Sequence, residues 1–490
     1  MIWPVSLSLF LSVTRNSKLK WTLLLMLFVT AEIPAFAQTW TLSWSDEFSG
    51  TTINSANWTY DTGTLNVNNE VEYYCAPSSN TAPCDSTVPN AYLDGSGHLV
   101  IQALRINSGV APYSGSWTSA RLNSSTLQSF QYGRIESSMS LPLGPGLWPA
   151  FWALGTNITT VGWPASGEID YMENVPLTSG LGPSTISSTL NGGYGPSDCY
   201  CGGNGLGQRY TFPATDPNGP DVTSFHTYGA IWSPNMVQFY VDDPTNVFFV
   251  RTAADVPSGF TWDYNHPFFL LLNLAVGGTG SWPGPPDNTT PSPAVMSVDY
   301  VRVYTPSQVP PPTMMAPLIT LNAGSTGSST VALNSTSGTG RVYLSCSTNA
   351  PKATCAVNTT DPLDQYTVDF SSASSTSATV TVNTTANTNH RAALAVSETL
   401  WPLTGILPVA LVLPVFSQRR KYWAVFSGTL LALSLLLACG GSNNTQTPGG
   451  GGGTPNGTPP GNYTITVNAY TVSNTTGTAD AALNIPLTVN

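Results

Sequence analysis

Between residues 38 and 304 the apolar positions come in short runs, many alternating with polar ones, and Gly, Pro, Asn or Ser break them every few residues. LVIQA at 99–103, VQFYVDD at 237–243 and VDYVRVY at 298–304 are rich in β-branched and aromatic residues, a content that predicts strands. No stretch here holds a helical period for long. Strands alone over roughly 270 residues predict an all-β fold, a large two-sheet sandwich.

After residue 304 the pattern changes. Residues 305–313 (TPSQVPPPT) read as a Pro-rich linker. Residues 314–398 are mostly Ser, Thr, Val and Ala with almost no charge, which predicts a small Ig-like β module, although a disordered stalk has the same composition. Two apolar runs, 401–416 and 422–438, flank Arg419-Arg420-Lys421 and predict a transmembrane hairpin over 399–439 with its basic turn in the cytoplasm. A buried core hairpin is the alternative. A Gly/Pro-rich linker covers 440–461, and 462–490 alternates like terminal strands of the interrupted sandwich.

Export is expected from the N-terminus. Arg15, Lys18 and Lys20 precede an apolar stretch, and Ala35-Phe36-Ala37 offers a small-x-small cleavage site, so residues 1–37 read as a secretory signal. A first membrane helix is the alternative. The second apolar run ends at Cys439, in the order of a bacterial lipoprotein signal, with an ordinary span as the favoured reading. The protein is therefore expected outside the cytoplasm, membrane-anchored or secreted, where disulfides are permitted. Cys75 and Cys84 bracket one loop, Cys199 and Cys201 sit in a Gly-rich one, and Cys346 and Cys355 look like a staple. A Cys199–Cys201 bond would close a very small ring, so three connectivities stay open among the first four cysteines. The scattered histidines argue against zinc.

Composition sharpens the search for chemistry. The formal net charge is -11 with pI ≈ 4.6, which argues against nucleic acid and suits a neutral substrate. Only 8% of residues are charged, so a cluster of carboxylates stands out. One exists in GEIDYMEN at 167–174: Glu168, Asp170 and Glu173. On a regular strand Glu168 and Asp170 share a face and Glu173 points away. One extra residue in a β-bulge, Met172 or Tyr171, would return Glu173 to the shared face. Two acids flanking a third on a concave sheet is the equipment of a retaining glycosidase. Trp148 and Trp152, in GLWPAFWALG just upstream, suit stacking against sugar rings.

GLWPAFWALG followed by GEIDYMEN resembles the active-site segment of glycoside hydrolase family 16, in its laminarinase-like (endo-β-1,3-glucanase) branch. WSDEFSG, NNEVEYY, GHLVIQA, YGRIESSMSLP, FHTYGAIWSP, HPFFLLLNLAVGG and MSVDYVRVY follow the family's order over residues 38–304. The resemblance implies a concanavalin-like β-jelly roll with a glycan cleft. It also implies Glu168 as nucleophile, Glu173 as acid and then base, and Asp170 tuning their charge. Trp148, Trp152 and Trp282 become sugar platforms, and Asn69 and Arg121 hydroxyl-binding residues, with a structural pairing equally open for Arg121. No cofactor is needed for this catalysis. Glu47 and Asp299 become candidate ligands of a structural calcium, with local salt bridges as the alternative. Asn191 stands where relatives commonly carry His. The expected partner is a polysaccharide, β-1,3-glucan first, with mixed-linkage β-glucan or galactan as alternatives and a non-catalytic glycan-binding jelly roll as the competing class.

Overall fold

The computed structural model describes residues 39–106, 116–175, 181–307, 309–335, 339–386, 456–474 and 476–490. The signal at 1–37, the hairpin at 399–439 and Cys439 lie outside the described residues. Among the described residues the secondary structure is nearly all strand, apart from one helical turn at Ile158–Val161 and two 3-10 turns. No helix among them is long and apolar enough to cross a membrane.

The N-terminal part is a jelly-roll sandwich of two sheets. One sheet runs in the order Val247–Thr252, Met236–Val241, His226–Ser233, Gly133–Ser140, Ala294–Pro306, Leu99–Arg105, Trp117–Ser119 and Glu72–Tyr74. The other runs Asp198–Tyr200, Thr185–Gly195, Glu168–Glu173, Leu147–Gly155, Phe268–Val276, Arg121–Asn123 and Thr59–Asp61. Period-two alternation sends one set of side chains inward from each sheet. Ile135 and Met139 of the first sheet, and Phe151, Ala153, Ile169, Leu270, Leu272 and Leu274 of the second, belong to one buried core. Burying each large side chain contributes roughly 1.5–3 kcal/mol. Trp232 is fully buried there, and its indole N–H donates to the Tyr264 carbonyl at 3.0 Å, so its polar handle is satisfied.

A smaller sandwich follows. Its sheets are Thr313–Met315, Thr326–Asn334, Ser375–Asn383 and Thr354–Asn358 against Ile319–Leu321, Ala481–Val489, Gly461–Tyr470, Arg341–Thr348 and Thr367–Asp369. The last two strands of the chain thus pair with strands that precede residue 387: Ser345 lies opposite Asn468, and Ile319 runs parallel beside Leu487. Tyr343 and Val472 of this unit pack on Ile231, Met236, Tyr240 and Val250 of the larger one. The disulfides join Cys75 to Cys84, Cys199 to Cys201 and Cys346 to Cys355. Of the three pairings left open, the structure therefore adopts the one containing the small ring.

Candidate active site

The acid strand Glu168–Glu173 lies inside the second sheet, between Leu147–Gly155 and Thr185–Gly195. Against Leu147–Gly155, Asp170 pairs with Trp152 and Met172 with Phe151, so Tyr171 is the extra residue. Tyr171 and Met172 are both buried in the core, and the Tyr171 ring stacks on Phe151 at 4.7 Å between centroids. With two consecutive residues facing inward, the alternation reverses and Glu173 joins Glu168 and Asp170 on the outer face. The bulge exists because an apolar pair at 171–172 is driven into the core.

Those acids border a hollow in the sheet's outer face. Its walls are Asn68, Glu70, Arg121, Trp148, Ala150, Trp152, Glu168, Asp170, Glu173, Asn273 and Ala275. Strand register explains the shape. Glu173 lies opposite Ala150, Ala150 opposite Asn273, and Asn273 opposite Arg121, forming one row across four strands. Ala150, the small residue in that row, sits between Trp148 and Trp152 on the same face, so the floor dips between two indole shoulders.

The three acids differ in their donors, and two of them share one. Glu168 accepts the Trp163 indole N–H at 2.9 Å and the Asn191 amide at 2.8 Å. Asp170 is buried and accepts from the same Asn191 amide nitrogen at 2.9 Å. Glu173 accepts the Trp148 indole N–H at 3.0 Å. Loss of hydration pushes the Glu168 carboxyl up to about 7, against the pull of Trp163, Asn191 and the Arg121 charge. The same loss, added to repulsion from Glu168, pushes Glu173 up to about 8, with Trp148 pulling it down. Asp170 is raised well above the usual carboxylate range by burial and by both neighbours.

The opposite wall is a second polar network. Trp152 donates to Asn273 at 2.7 Å, and Asn273 donates to the Tyr74 hydroxyl at 3.2 Å. Tyr74 reaches Glu70 at 3.4 Å, and Asn68 donates to Glu70 at 3.1 Å. Arg121 lies over the Trp152 ring at 4.6 Å and pairs with Asp61 at 2.8 Å, so it is at once a wall residue and a structural ion pair.

Two of the expected sugar contacts lie off the hollow. Its wall takes Asn68 and Glu70, while Asn69 between them offers its carbonyl to the Gly278 N–H at 2.8 Å. Trp282 stands one step out, its ring edge-on to Trp148 at 5.5 Å, and is 38% exposed. Glu70, Asn68, Asn273 and Trp163 are wall or donor residues that sequence reasoning missed. For Trp163 the available signal was an indole five positions before Glu168 in a chain otherwise poor in hydrogen-bonding charge.

Of the two candidate calcium ligands, Glu47 is held in an ion pair. Both Glu47 oxygens are taken by the Arg302 guanidinium, at 3.0 and 2.7 Å, which holds the carboxyl below its usual range. Asp299 sits at the strand irregularity between Val298 and Tyr300. Among the described residues, the side chains that do cluster at metal-ligand spacing are Asp216, His226 and Asp242. The Asp242 carboxylate there already engages His226 Nδ1 at 2.9 Å.

A two-sheet jelly roll whose outer face carries a bulge-aligned trio of carboxylates between tryptophans defines a glycoside hydrolase. The match of residues 69–302 to the family model for glycosyl hydrolases family 16, together with relatives aligned over most of their own length, means that the chain belongs to that family. The chain is 34% identical over 274 residues to the Beta-glucanase of Rhodothermus marinus, covering 54% of this chain and 85% of that protein. It is 34% identical over 288 residues to a Glucan endo-1,3-beta-glucosidase of Cryptopygus antarcticus, covering 55% and 94%. To Glucan endo-1,3-beta-glucosidase A1 of Niallia circulans it is 34% identical over 273 residues, covering 54% of this chain and 37% of that longer protein.

Proposed function

We propose that this chain is a retaining endo-glycosidase acting on β-1,3-glucan of laminarin type. The observation that carries the reading is the bulge at Tyr171, which puts Glu168 and Glu173 on one face of one hollow. Three carboxyls in one poorly hydrated pocket cannot all ionise near neutral pH. Two donors favour the first charge on Glu168, and Glu173, with one donor, keeps its proton. Glu168 then attacks the anomeric carbon while Glu173 protonates the departing glycosidic oxygen, which leaves a glycosyl ester on Glu168. Glu173, now a carboxylate, takes a proton from water; the hydroxide attacks the same carbon, and Glu168 is released. Two carboxyls supply all the proton and bond traffic, so no cofactor enters.

Internal cleavage suits the way the hollow opens. Exposed Trp163 adjoins the Glu168 end and exposed Trp282 the Trp148–Glu173 end, which leaves a glycan chain room to continue in both directions. β-1,3-Glucan is favoured over mixed-linkage glucan or galactan by the names of two of the relatives above and by the paired tryptophans of the hollow. Purified residues 38–304 should release laminarin oligosaccharides faster than products from lichenan or agarose. NMR of the first products should reveal the β-anomer, and prompt α-anomer would mean a single inverting displacement. Export and a membrane anchor over 399–439 belong to the same proposal: deleting 399–439 is expected to move the protein from the membrane to the soluble fraction, and a full-length protein already soluble would remove the anchor.

A further inference from the structure

We infer that Asn191 is the positioning residue of this site: one neutral amide, locked by the loop after Tyr200, holds both Glu168 and Asp170. The inference rests on the glycosidase reading for its kinetic consequences, though not for its geometry. Asn191 lies opposite Glu168 on the neighbouring strand and is 5% exposed. Its nitrogen donates to Glu168 Oε1 at 2.8 Å and to Asp170 Oδ2 at 2.9 Å, using both amide hydrogens. Its oxygen accepts the backbone N–H of Gly202 at 2.9 Å. That third bond fixes which end of the amide faces the acids. Were the amide reversed, its oxygen would meet two carboxylates, and the Gly202 N–H would face an NH2 group.

The loop is shaped to make this contact. Gly202 has φ 55°, a left-handed conformation that glycine adopts freely. A Cβ at Gly205 would lie 2.6 Å from Asn191 Oδ1, so a side chain there would push the amide away. The Cys199–Cys201 bond closes the segment just before Gly202. Asn191 therefore passes loop position to the reacting carboxylates.

An amide does this without titrating near neutral pH, so the charge balance of the pocket stays with the acids. The groups that face Glu168 are Asp170 and Glu173 on its own strand, Arg121 across the hollow, Glu70 on the far wall and the Tyr264 phenol. Arg121 is the cation among these. Asn191 and Trp163 are the two hydrogen-bond donors that favour its ionised form. Removing one of them should raise the pH at which Glu168 ionises.

The test compares Asn191→Ala, Asn191→Asp and Asn191→His with wild type in the full chain. Asn191→Ala should move the acid limb of kcat/KM upward by roughly one pH unit and lower kcat about 10- to 100-fold. Asn191→Asp, which puts a fourth carboxyl in the pocket and cannot donate to both acids at once, should be worse. Asn191→His can donate from one ring nitrogen and accept from Gly202 with the other, so it should recover to within about tenfold of wild type. Cys199→Ser with Cys201→Ser should shift the limb in the same direction by less. An Asn191→Ala enzyme with an unmoved limb, whatever its Tm, overturns the inference. So does an Asn191→Asp enzyme with wild-type kinetics. If wild type cleaves no glycan, the glycosidase reading fails instead; carbon-13 NMR titration of the Glu168 carboxyl in wild type and Asn191→Ala then decides the positioning role without turnover.

Discussion

Glu168→Gln and Glu173→Gln are each expected to cut turnover of laminarin by ~10³-fold or more, while Asp170→Asn keeps a measurable remainder. Each Glu makes or breaks a bond, and a Gln amide is neither a nucleophile nor an acid. Asp170 is buried and contributes charge and a hydrogen bond to Asn191, which an amide partly replaces. The two Glu variants should also differ in what restores them. Glu173→Gln should recover on substrates whose leaving group needs no proton, and Glu168→Gln should recover with azide, which attacks in place of the missing carboxylate. Azide rescue of Glu173→Gln through an opposite-face glycosyl azide would exchange the two roles. Near-normal turnover by Glu168→Gln would sink the assignment.

The second large effect is on pH. Activity requires ionised Glu168 and protonated Glu173, pushed up to about 7 and about 8. The pH profile of kcat/KM should therefore be a narrow bell with limbs near those values, which belong to the coupled pair rather than to either acid alone. It falls below about 7 as Glu168 takes a proton and above about 8 as Glu173 loses one. Stability carries the same sign. A carboxyl whose folded pKa is raised binds its proton more tightly folded than unfolded, so its contribution is complete below the unfolded value of about 4.3 and is lost as pH rises through the folded one. Glu173→Gln, neutral at every pH, should match wild type in Tm near pH 4 and exceed it at pH 8.5. A gain of ~1–2 kcal/mol corresponds to a few degrees for a unit of this size. A variant less stable than wild type at pH 8.5 would mean that the Glu173 charge is not a burden in the fold.

The acid trio was legible because its signal is local. Alternation puts Glu168 and Asp170 together, and the apolar pair at 171–172 leaves a bulge as the way to bring Glu173 back; the structure makes Tyr171 the inserted residue, one of the two candidates. The far wall was less legible. Asn69 came from the resemblance alone; Asn68 and Asn69 both have left-handed backbone, φ 51° and 57°, so no alternation runs through them, and the residues on either side of Asn69 line the hollow. Trp163 reaches Glu168, and the Gly202 N–H reaches Asn191, from turns outside the strands, where no period-two alternation aims a contact. Cysteine pairing and the partners of the last two strands depend on contacts between distant positions, and spacing alone does not choose among them. Glu47 stood as a calcium candidate through the family resemblance, with a local salt bridge as the alternative, and its partner Arg302 lies 255 positions away, beyond the reach of local pattern.

Glu168 is expected to form a covalent bond to the sugar, and a substrate that slows release of the ester traps it. Wild-type protein is incubated with a 2-deoxy-2-fluoro laminaribiosyl fluoride, whose fluorine slows release of the intermediate, then digested and mapped by mass spectrometry. One added disaccharide per chain is expected, on the peptide containing Glu168 and absent in Glu168→Gln. A label on Glu173 or Asp170, or laminarin hydrolysis with retained anomer and no covalent adduct, would contradict it.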